Sequence, residues 1–251
     1  NGQNYYFDSE GSQTANLSKP KFKHLFDAKS STSNSMNIKT HDSNSTNLDS
    51  TVNLAGLEFI DIQTLNVELS NSIGIDSTGD FVGEDLTKLA VTGSGNFNLN
   101  ENTISGNNVT GVQLDASSLS GAVTIKLDNT TNGVKNLKTG KGADLFIIDV
   151  ATNLTGGIVI LSGDGKDTFN LTVNADGPNA KLNLDGGNQE DVLLLDAGID
   201  LSSSDLTLSN IEKIMLKGGG VSQIVSSSDI SGKAFEISEG NYGIAQFTIN
   251  V

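Results

Sequence analysis

From residue 51 onward, short aliphatic runs alternate with turns rich in Gly, Asn, Asp and Ser. Within most runs polar and apolar residues alternate one by one, which is typical of a β-strand with one buried face. Few windows sustain helical spacing, and 204–213 is the only candidate for a helix. The predicted strands lie at 57–69, 86–99, 121–127, 143–150, 158–161, 169–173, 180–184, 192–195 and 211–216. The pattern therefore predicts an all-β protein.

The first 50 residues differ from the rest in composition, because they are poor in aliphatic residues and rich in Ser, Asn and Thr. One interpretation is a flexible or loosely packed N-terminal segment, since low hydrophobicity cannot offset the entropy lost on ordering. The other is that strands already form at 35–39 and 45–49, where polar and apolar residues alternate. Two regions are predicted: this segment at 1–50 and a solenoid domain at 51–251.

The predicted strands and turns recur with a fixed period, and this period indicates the architecture of the fold. The segment at 140–146 recurs 23 residues later at 163–169 and, in a degraded form, 24 residues after that at 187–193. Such a period is too short for a propeller blade and matches one coil of a parallel β-solenoid, a β-helix or β-roll. Stacking then predicts two apolar columns: Phe146 with Phe169 and Leu193, and Leu137 with Ile160 and Leu184.

The same stacking brings Asp144, Asp167 and Asp191 to equivalent places in consecutive coils, about 4.8 Å apart. Like charges in register at this distance repel. Either a cation between the turns or hydrogen bonds from turn N–H groups would relieve the repulsion. Glycine turns can direct carbonyl oxygens toward such a cation, and Ca²⁺ takes six to eight oxygen ligands. The candidate metal ligands are Gly140, Gly142, Asp144, Gly163, Asp164, Gly165, Asp167, Gly187, Asn188 and Asp191.

Composition narrows the chemistry further. The net charge is −15, with 30 acidic residues against 15 basic ones, which disfavours binding to nucleic acids and to anionic membranes. There is no Cys and there are two His, so thiolate, iron–sulfur and histidine-rich sites lack ligands. No apolar run is long enough for a membrane-spanning helix, and the N-terminus lacks the features of a Sec-type signal peptide. The abundant oxygen ligands favour calcium.

The repeated Gly-x-Gly-x-Asp-x-bulky segments at 140–146 and 163–169 resemble the calcium-binding nonapeptide of RTX proteins. This resemblance implies Ca²⁺ in the glycine turns and a parallel β-roll in which the bulky residue enters the core. The sequence departs from the nonapeptide in three ways. Thr139 and Ser162 replace its first glycine, Gln189 replaces the third glycine of the last copy, and the motif occurs once per coil instead of every nine residues.

A second resemblance covers roughly residues 51–220. The segments 56–62, 112–121 and 210–216 are similar to repeats in surface-layer proteins and large surface proteins that Gram-negative bacteria export by type I secretion. Membership of that class would imply an extracellular location at the cell surface. Such proteins carry an uncleaved export signal at the C-terminus, and the apolar end at 247–251 is compatible with one, or with a final strand that caps the solenoid.

The resulting expectation is a non-enzymatic, calcium-binding structural protein that assembles with copies of itself into a lattice or oligomer outside the cell. Cell-surface polysaccharide is a further candidate partner. Two alternatives stay open: the C-terminal RTX module of a secreted hydrolase, and an adhesin segment that binds a glycan or a host protein. Trp is absent, so the solenoid offers few aromatic platforms on which a sugar could stack.

Overall fold

The computed structural model describes residues 3–8, 15–17, 21–23, 34–41, 51–69, 74–99, 103–106, 111–128, 134–149, 157–172, 181–196, 198–201, 205–217, 222–226, 236–239 and 246–250. All regular elements in these ranges are β-strands. None of the described ranges forms a helix of the length and hydropathy that crossing a membrane requires. The predicted all-β class is confirmed.

The strands are short because each occupies one side of a coil. They are β1 (Gln3–Asp8), β2 (Ala15–Leu17), β3 (Lys21–Lys23), β4 (Ser35–His41), β5 (Thr51–Leu54), β6 (Leu57–Ile60), β7 (Thr64–Leu69), β8 (Gly74–Ser77), β9 (Phe81–Gly83), β10 (Lys88–Gly93), β11 (Phe97–Asn98), β12 (Ile104–Ser105), β13 (Val112–Leu119), β14 (Val123–Asp128), β15 (Val134–Lys138), β16 (Leu145–Asp149), β17 (Ile158–Leu161), β18 (Thr168–Leu171), β19 (Lys181–Asp185), β20 (Val192–Leu195), β21 (Asp205–Ser209), β22 (Lys213–Leu216), β23 (Ser222–Ser226), β24 (Glu236–Glu239) and β25 (Gln246–Asn250).

These strands stack in parallel into a β-solenoid. Sheet A has the order β1-β4-β7-β10-β13-β15-β17-β19-β21, and sheet B the order β2-β5-β8-β11-β14-β16-β18-β20-β22-β24. Sheet C has the order β12-β9-β6-β3, and β23 pairs with β25. Equivalent positions in neighbouring coils lie 21 to 24 residues apart where side chains link the later coils. The predicted parallel β-solenoid and its coil length are confirmed.

The cross-section of the solenoid changes along the chain. Up to β12 each coil contributes a strand to sheets A, B and C in turn, so the coil is three-sided. From β13 to β22 the strands alternate between sheets A and B only, and the coil becomes a flattened two-sheet roll. The glycine–aspartate turns lie in this two-sheet part, where each connects a strand of sheet A to the next strand of sheet B.

The core lies between the sheets and is built from columns of identical inward positions. Phe146 pairs in register with Phe169, and Phe169 with Leu193, as the repeat predicts. The two phenylalanine rings stack with centroids 5.1 Å apart and planes 24° apart. Leu137, Ile160 and Leu184 form the second predicted column. Thin aliphatic layers suffice for this core because every layer is covered by the coils on both sides.

The helix candidate at 204–213 is not a helix, because this segment contains β21 and the turn that leads into β22. Leu206 and Leu208 are buried while their neighbours are not, which is the alternation of a strand. The segment forms a strand because its backbone hydrogen-bonds in parallel to β19.

The N-terminal segment contributes strands to the same sheets. The strand predicted at 35–39 is observed as β4, which pairs along its length with β7. The strand predicted at 45–49 lies outside the described residues.

Candidate metal centre

Six turns lie on top of one another along one edge of the solenoid, each leading from sheet A into sheet B. They occupy 94–96, 120–122, 139–144, 162–167, 186–191 and 210–212. In the last four turns a carboxylate precedes the sheet B strand directly. These four turns therefore place one acidic side chain per coil at equivalent positions, one above the other along the axis.

The carboxylates of Asp144, Asp167 and Asp191 point along the axis and bridge the coils. Oδ1 of Asp144 accepts a hydrogen bond from the amide of Val123 at 2.7 Å. Oδ1 of Asp167 accepts one from the amide of Asp144, and Oδ1 of Asp191 one from the amide of Asp167, both at 2.8 Å. We call this chain of side chains the carboxylate ladder. N–H groups of the turns thus satisfy one oxygen of each aspartate, which is one of the two predicted ways to relieve the repulsion between the stacked carboxylates.

The second oxygen of each ladder aspartate is enclosed without a partner. Asp144, Asp167 and Asp191 are at most 2% exposed. Their Oδ2 atoms are buried, and no donor has hydrogen-bond geometry toward them. A buried ionised oxygen in this state is costly, so each aspartate either takes up a proton or binds a cation.

Burial accordingly raises the pKa of the ladder carboxyls. Desolvation, with a further contribution from the charge of Asp167, raises the pKa of Asp144 to about 7. Desolvation and the neighbouring charges of Asp167, Glu212 and Asp185 raise the pKa of Asp191 to about 7. Burial also raises the pKa of Asp167. Ionising the ladder carboxyls at neutral pH without a counter-ion therefore lowers the free energy of unfolding.

Two hydroxyl groups lie beside the ladder, at the positions where the RTX nonapeptide has its first glycine. The hydroxyls of Thr139 and Ser162 lower the pKa of Asp144 and Asp167 and so oppose desolvation in part. In the structure each hydroxyl donates instead to a main-chain carbonyl oxygen, Thr139 to that of Ser162 at 2.8 Å and Ser162 to that of Gly186 at 2.7 Å, so it lowers the aspartate pKa only when it turns toward the carboxyl. This departure from the nonapeptide thus links neighbouring coils.

The glycines of the turns are required by close approach of the coils. A Cβ on Gly186 would lie 2.5 Å from Oδ2 of Asp191, and one on Gly165 would lie 3.0 Å from Oδ1 of Asp167. A Cβ on Gly142 would lie 2.4 Å from the backbone of Ala122. The glycines therefore make room both for the buried carboxylates and for the coil below.

Four of the other predicted ligands form hydrogen bonds between neighbouring turns, whereas Gly142 and Gly165 are buried. The carbonyl oxygens of Gly140 and Gly163 accept hydrogen bonds from the amides of Asp164, at 2.7 Å, and of Asn188, at 2.8 Å. The side-chain amide of Asn188 donates to Oδ1 of Asp164 at 2.7 Å, and this contact is exposed. The predicted ligands therefore divide into the buried ladder and an outer hydrogen-bonded strip, which the sequence pattern does not distinguish.

The ladder extends beyond the residues that the repeat predicts. Oε2 of Glu212 accepts a hydrogen bond from the amide of Asp191 at 2.9 Å and so occupies the next step. Asn96 makes a contact of the opposite sense, since its Oδ1 accepts from the amide of Ala122 in the following coil at 2.9 Å. Neither residue follows a glycine–aspartate motif. Their place directly before an apolar strand, one coil away from the neighbouring turn, is the signal that could have found them.

The turn glycines make a paired prediction. Gly187 has φ of +85° and a Cβ there would lie 1.9 Å from the carbonyl oxygen of Gly163, so Gly187→Ala should lower stability by about 2 kcal/mol or more. Gln189 has φ of +89°, which is unfavourable for a residue with a Cβ, so Gln189→Gly should raise stability by up to about 1 kcal/mol. Urea unfolding at pH 7 measures both. Changes of the same sign in the two variants would contradict this account of the turns.

Within the described ranges, no three His, Asp or Glu side chains converge into a group that could hold a metal ion. Each coil supplies one ladder carboxylate, so any cation here would depend on main-chain carbonyl oxygens for its remaining ligands. In comparisons with known proteins, no family model, no curated protein and no solved structure matches this chain at a significant level.

Proposed function

We propose that this chain is a non-enzymatic, calcium-stabilised structural solenoid of an exported bacterial surface protein of the surface-layer or RTX type. The observation that carries the proposal is the row of buried Oδ2 atoms of Asp144, Asp167 and Asp191, which have no hydrogen-bond partner. The repeated glycine turns and the parallel coil around them support it.

The surroundings of these oxygens favour a hard cation over other ligands. The groups that border the ladder are carboxylate and carbonyl oxygens, the ligand type that Ca²⁺ prefers, and the chain has no Cys for softer metals. A divalent ion between two turns would offset the desolvation that raises the pKa of these carboxyls and would also remove the repulsion between neighbouring carboxylates. Ca²⁺ would then stabilise every contact between adjacent coils.

The ladder also suggests why such a protein would fold outside the cell. Without the ion, the buried carboxylates and a net charge of −15 disfavour the compact state. Because the ion binds the folded coils, its binding free energy adds to the stability of the fold. The solenoid would stay weakly folded where free calcium is scarce and become stable where calcium is abundant.

A calcium titration tests the proposal. Chelator-treated protein at pH 7.5 should melt at a markedly higher temperature when Ca²⁺ is added, with a gain of about 2.7 kcal/mol at one hundred times the dissociation constant. Circular dichroism follows the melting. NaCl at matched ionic strength and Mg²⁺ control for charge screening and for divalent ions in general.

Two variants of equal charge locate the ion. Asp167→Asn keeps the acceptor oxygen for the amide of Asp144 but removes the anionic second oxygen, so it should lose most of the calcium response. Asp205→Asn removes the same charge from an exposed site on β21, where Asp205 faces Lys181 at 3.3 Å, and should keep the full response. If calcium does not change the melting temperature of the unmodified chain, calcium binding is refuted. If both variants respond equally to calcium, the ion binds outside the carboxylate ladder.

A further inference from the structure

The outward face of sheet B carries a cluster of apolar side chains where a solvated sheet normally carries polar ones. Leu145, Val192, Leu194 and Met215 are half-buried there, and Ile147 is 7% exposed. The register places them on β16, β20 and β22, with Ile147, Leu194 and Met215 in one line that Asn170 of the intervening strand β18 also joins. We call these five apolar residues the sheet B patch.

Charged side chains surround the patch, and they are paired. Three ion pairs link the lysines to acidic residues of neighbouring strands: Lys126 with Asp149 at 2.8 Å, Lys213 with Glu236 at 2.9 Å and Lys217 with Asp196 at 3.0 Å. The charges of these three pairs cancel, in a chain whose net charge is −15. Two copies that repel each other elsewhere can approach with these paired charges facing each other.

The outward face of sheet A differs from this in the same coils of the solenoid. On its strands from β13 to β21 the outward residues are polar, except for Val159 and Leu161 on β17. The aligned outward residues on the neighbouring strands are Gln113, Asn136, Asn183 and Thr207. An apolar centre with a rim of balanced charge is thus a property of sheet B.

We propose that two copies of this chain pack against each other through the outward faces of sheet B, with the sheet B patch at the centre. A second copy is the partner that this surface fits, because each rim pair offers one donor and one acceptor, so an identical face turned by a two-fold axis is complementary. The inference rests on the proposed surface-layer role, together with the self-assembly expected from the sequence, and assigns the surface for it.

The size of the face makes this contact weak. Six strands spaced about 4.8 Å apart, each about 13 Å long, give a face of about 400 Å² per copy. The pair would bury about 800 Å² in total, less than the roughly 1,200 Å² of stable complexes. Such a contact is suited to copies held close together in an array, where many weak contacts add up.

Because the chain has no Cys, single cysteines can trap this contact. Leu194→Cys lies in the sheet B patch, and Leu161→Cys is its matched control on sheet A, being the same residue type with similar burial. Under mild oxidation at protein concentrations from 10 µM to 1 mM, Leu194→Cys should form at least five times more disulfide-linked dimer than Leu161→Cys. A second pair of variants tests the same contact without cysteine. Leu194→Glu in the otherwise unchanged chain should raise the dissociation constant of the dimer at least tenfold in sedimentation equilibrium, whereas Leu161→Glu should change it less than twofold.

Equal cross-linking of the two cysteine variants, or no dimer of Leu194→Cys at 1 mM, would overturn the proposal. Thermal melting of all variants confirms that they fold. The experiment is run with and without Ca²⁺, so that its result is separate from that of the calcium titration. A chain that responds to calcium but gives no selective cross-link would retain the proposed calcium role and lose this surface, and a selective cross-link in a calcium-indifferent chain would do the reverse.

Discussion

Without calcium, the protein should be more stable at pH 5 than at pH 8. Burial raises the pKa of Asp144 and of Asp191 to about 7, from an ordinary value of 3.8. The folded protein therefore keeps protons on these carboxyls between about pH 4 and 7, where the unfolded chain releases them. The stabilisation is complete below pH 3.8 and disappears as the pH rises through 7. Each group contributes on the order of 2 kcal/mol across this range.

Urea unfolding of chelated protein at pH 5, 6, 7 and 8 measures the effect. Asp144→Asn should flatten the pH dependence and raise stability at pH 8, because the amide carries no charge to desolvate. Asp205→Asn, at an exposed site, should leave the pH dependence unchanged. Stability that rises steadily from pH 5 to pH 8 would mean that the ladder aspartates are ionised at no cost, which would contradict the account of the buried oxygens.

Phe169→Ala should destabilise the protein by about 3–5 kcal/mol. Phe169 is fully buried, its ring stacks on that of Phe146, and its other side pairs with Leu193. Since each coil contacts only its neighbours, the cavity would weaken both adjacent contacts.

Thr168→Ala is the matched control, because Thr168 is the neighbouring residue with an outward, half-buried side chain, and it should cost less than about 1 kcal/mol. Thermal unfolding compares the two variants. We expect Phe169→Ala to broaden the transition or divide it in two, because weakened contact between coils lowers cooperativity. A loss below 1 kcal/mol would show that the phenylalanine column is not central to the core.

The fold could be predicted because one period controls both the turns and the core. Glycine turns 23 and 24 residues apart set the coil length, and the aliphatic residue at a fixed offset from each turn sets the columns of Phe146 and Leu137. The change from three sheets to two at β12 could not be predicted, since it depends on how many corners a coil turns, and polar turn residues mark every corner alike. The local spacing at 204–213 resembles that of a helix, and only the pairing of β21 with β19 in the folded coil decides for a strand.

The stacking of the candidate residues was predicted, but their division into a buried row and an outer row was not. The spacing located Asp144, Asp167 and Asp191, yet a sequence cannot tell that each aspartate divides its oxygens between a neighbouring amide and an enclosed space. Glu212 was missed because its longer side chain reaches the same amide from a turn without the glycine motif.

The one-coil spacing of the ladder also determines how the protein would respond to a pulling force. A folded coil of about 23 residues advances the chain by only about 4.8 Å along the axis, whereas the same residues fully extended span about 80 Å. A terminal coil is held by one neighbour, so tension would peel coils from the end one after another. A surface coat made of such coils would lengthen greatly before it tore, and any ion seated between the turns would set the force at which each coil yields.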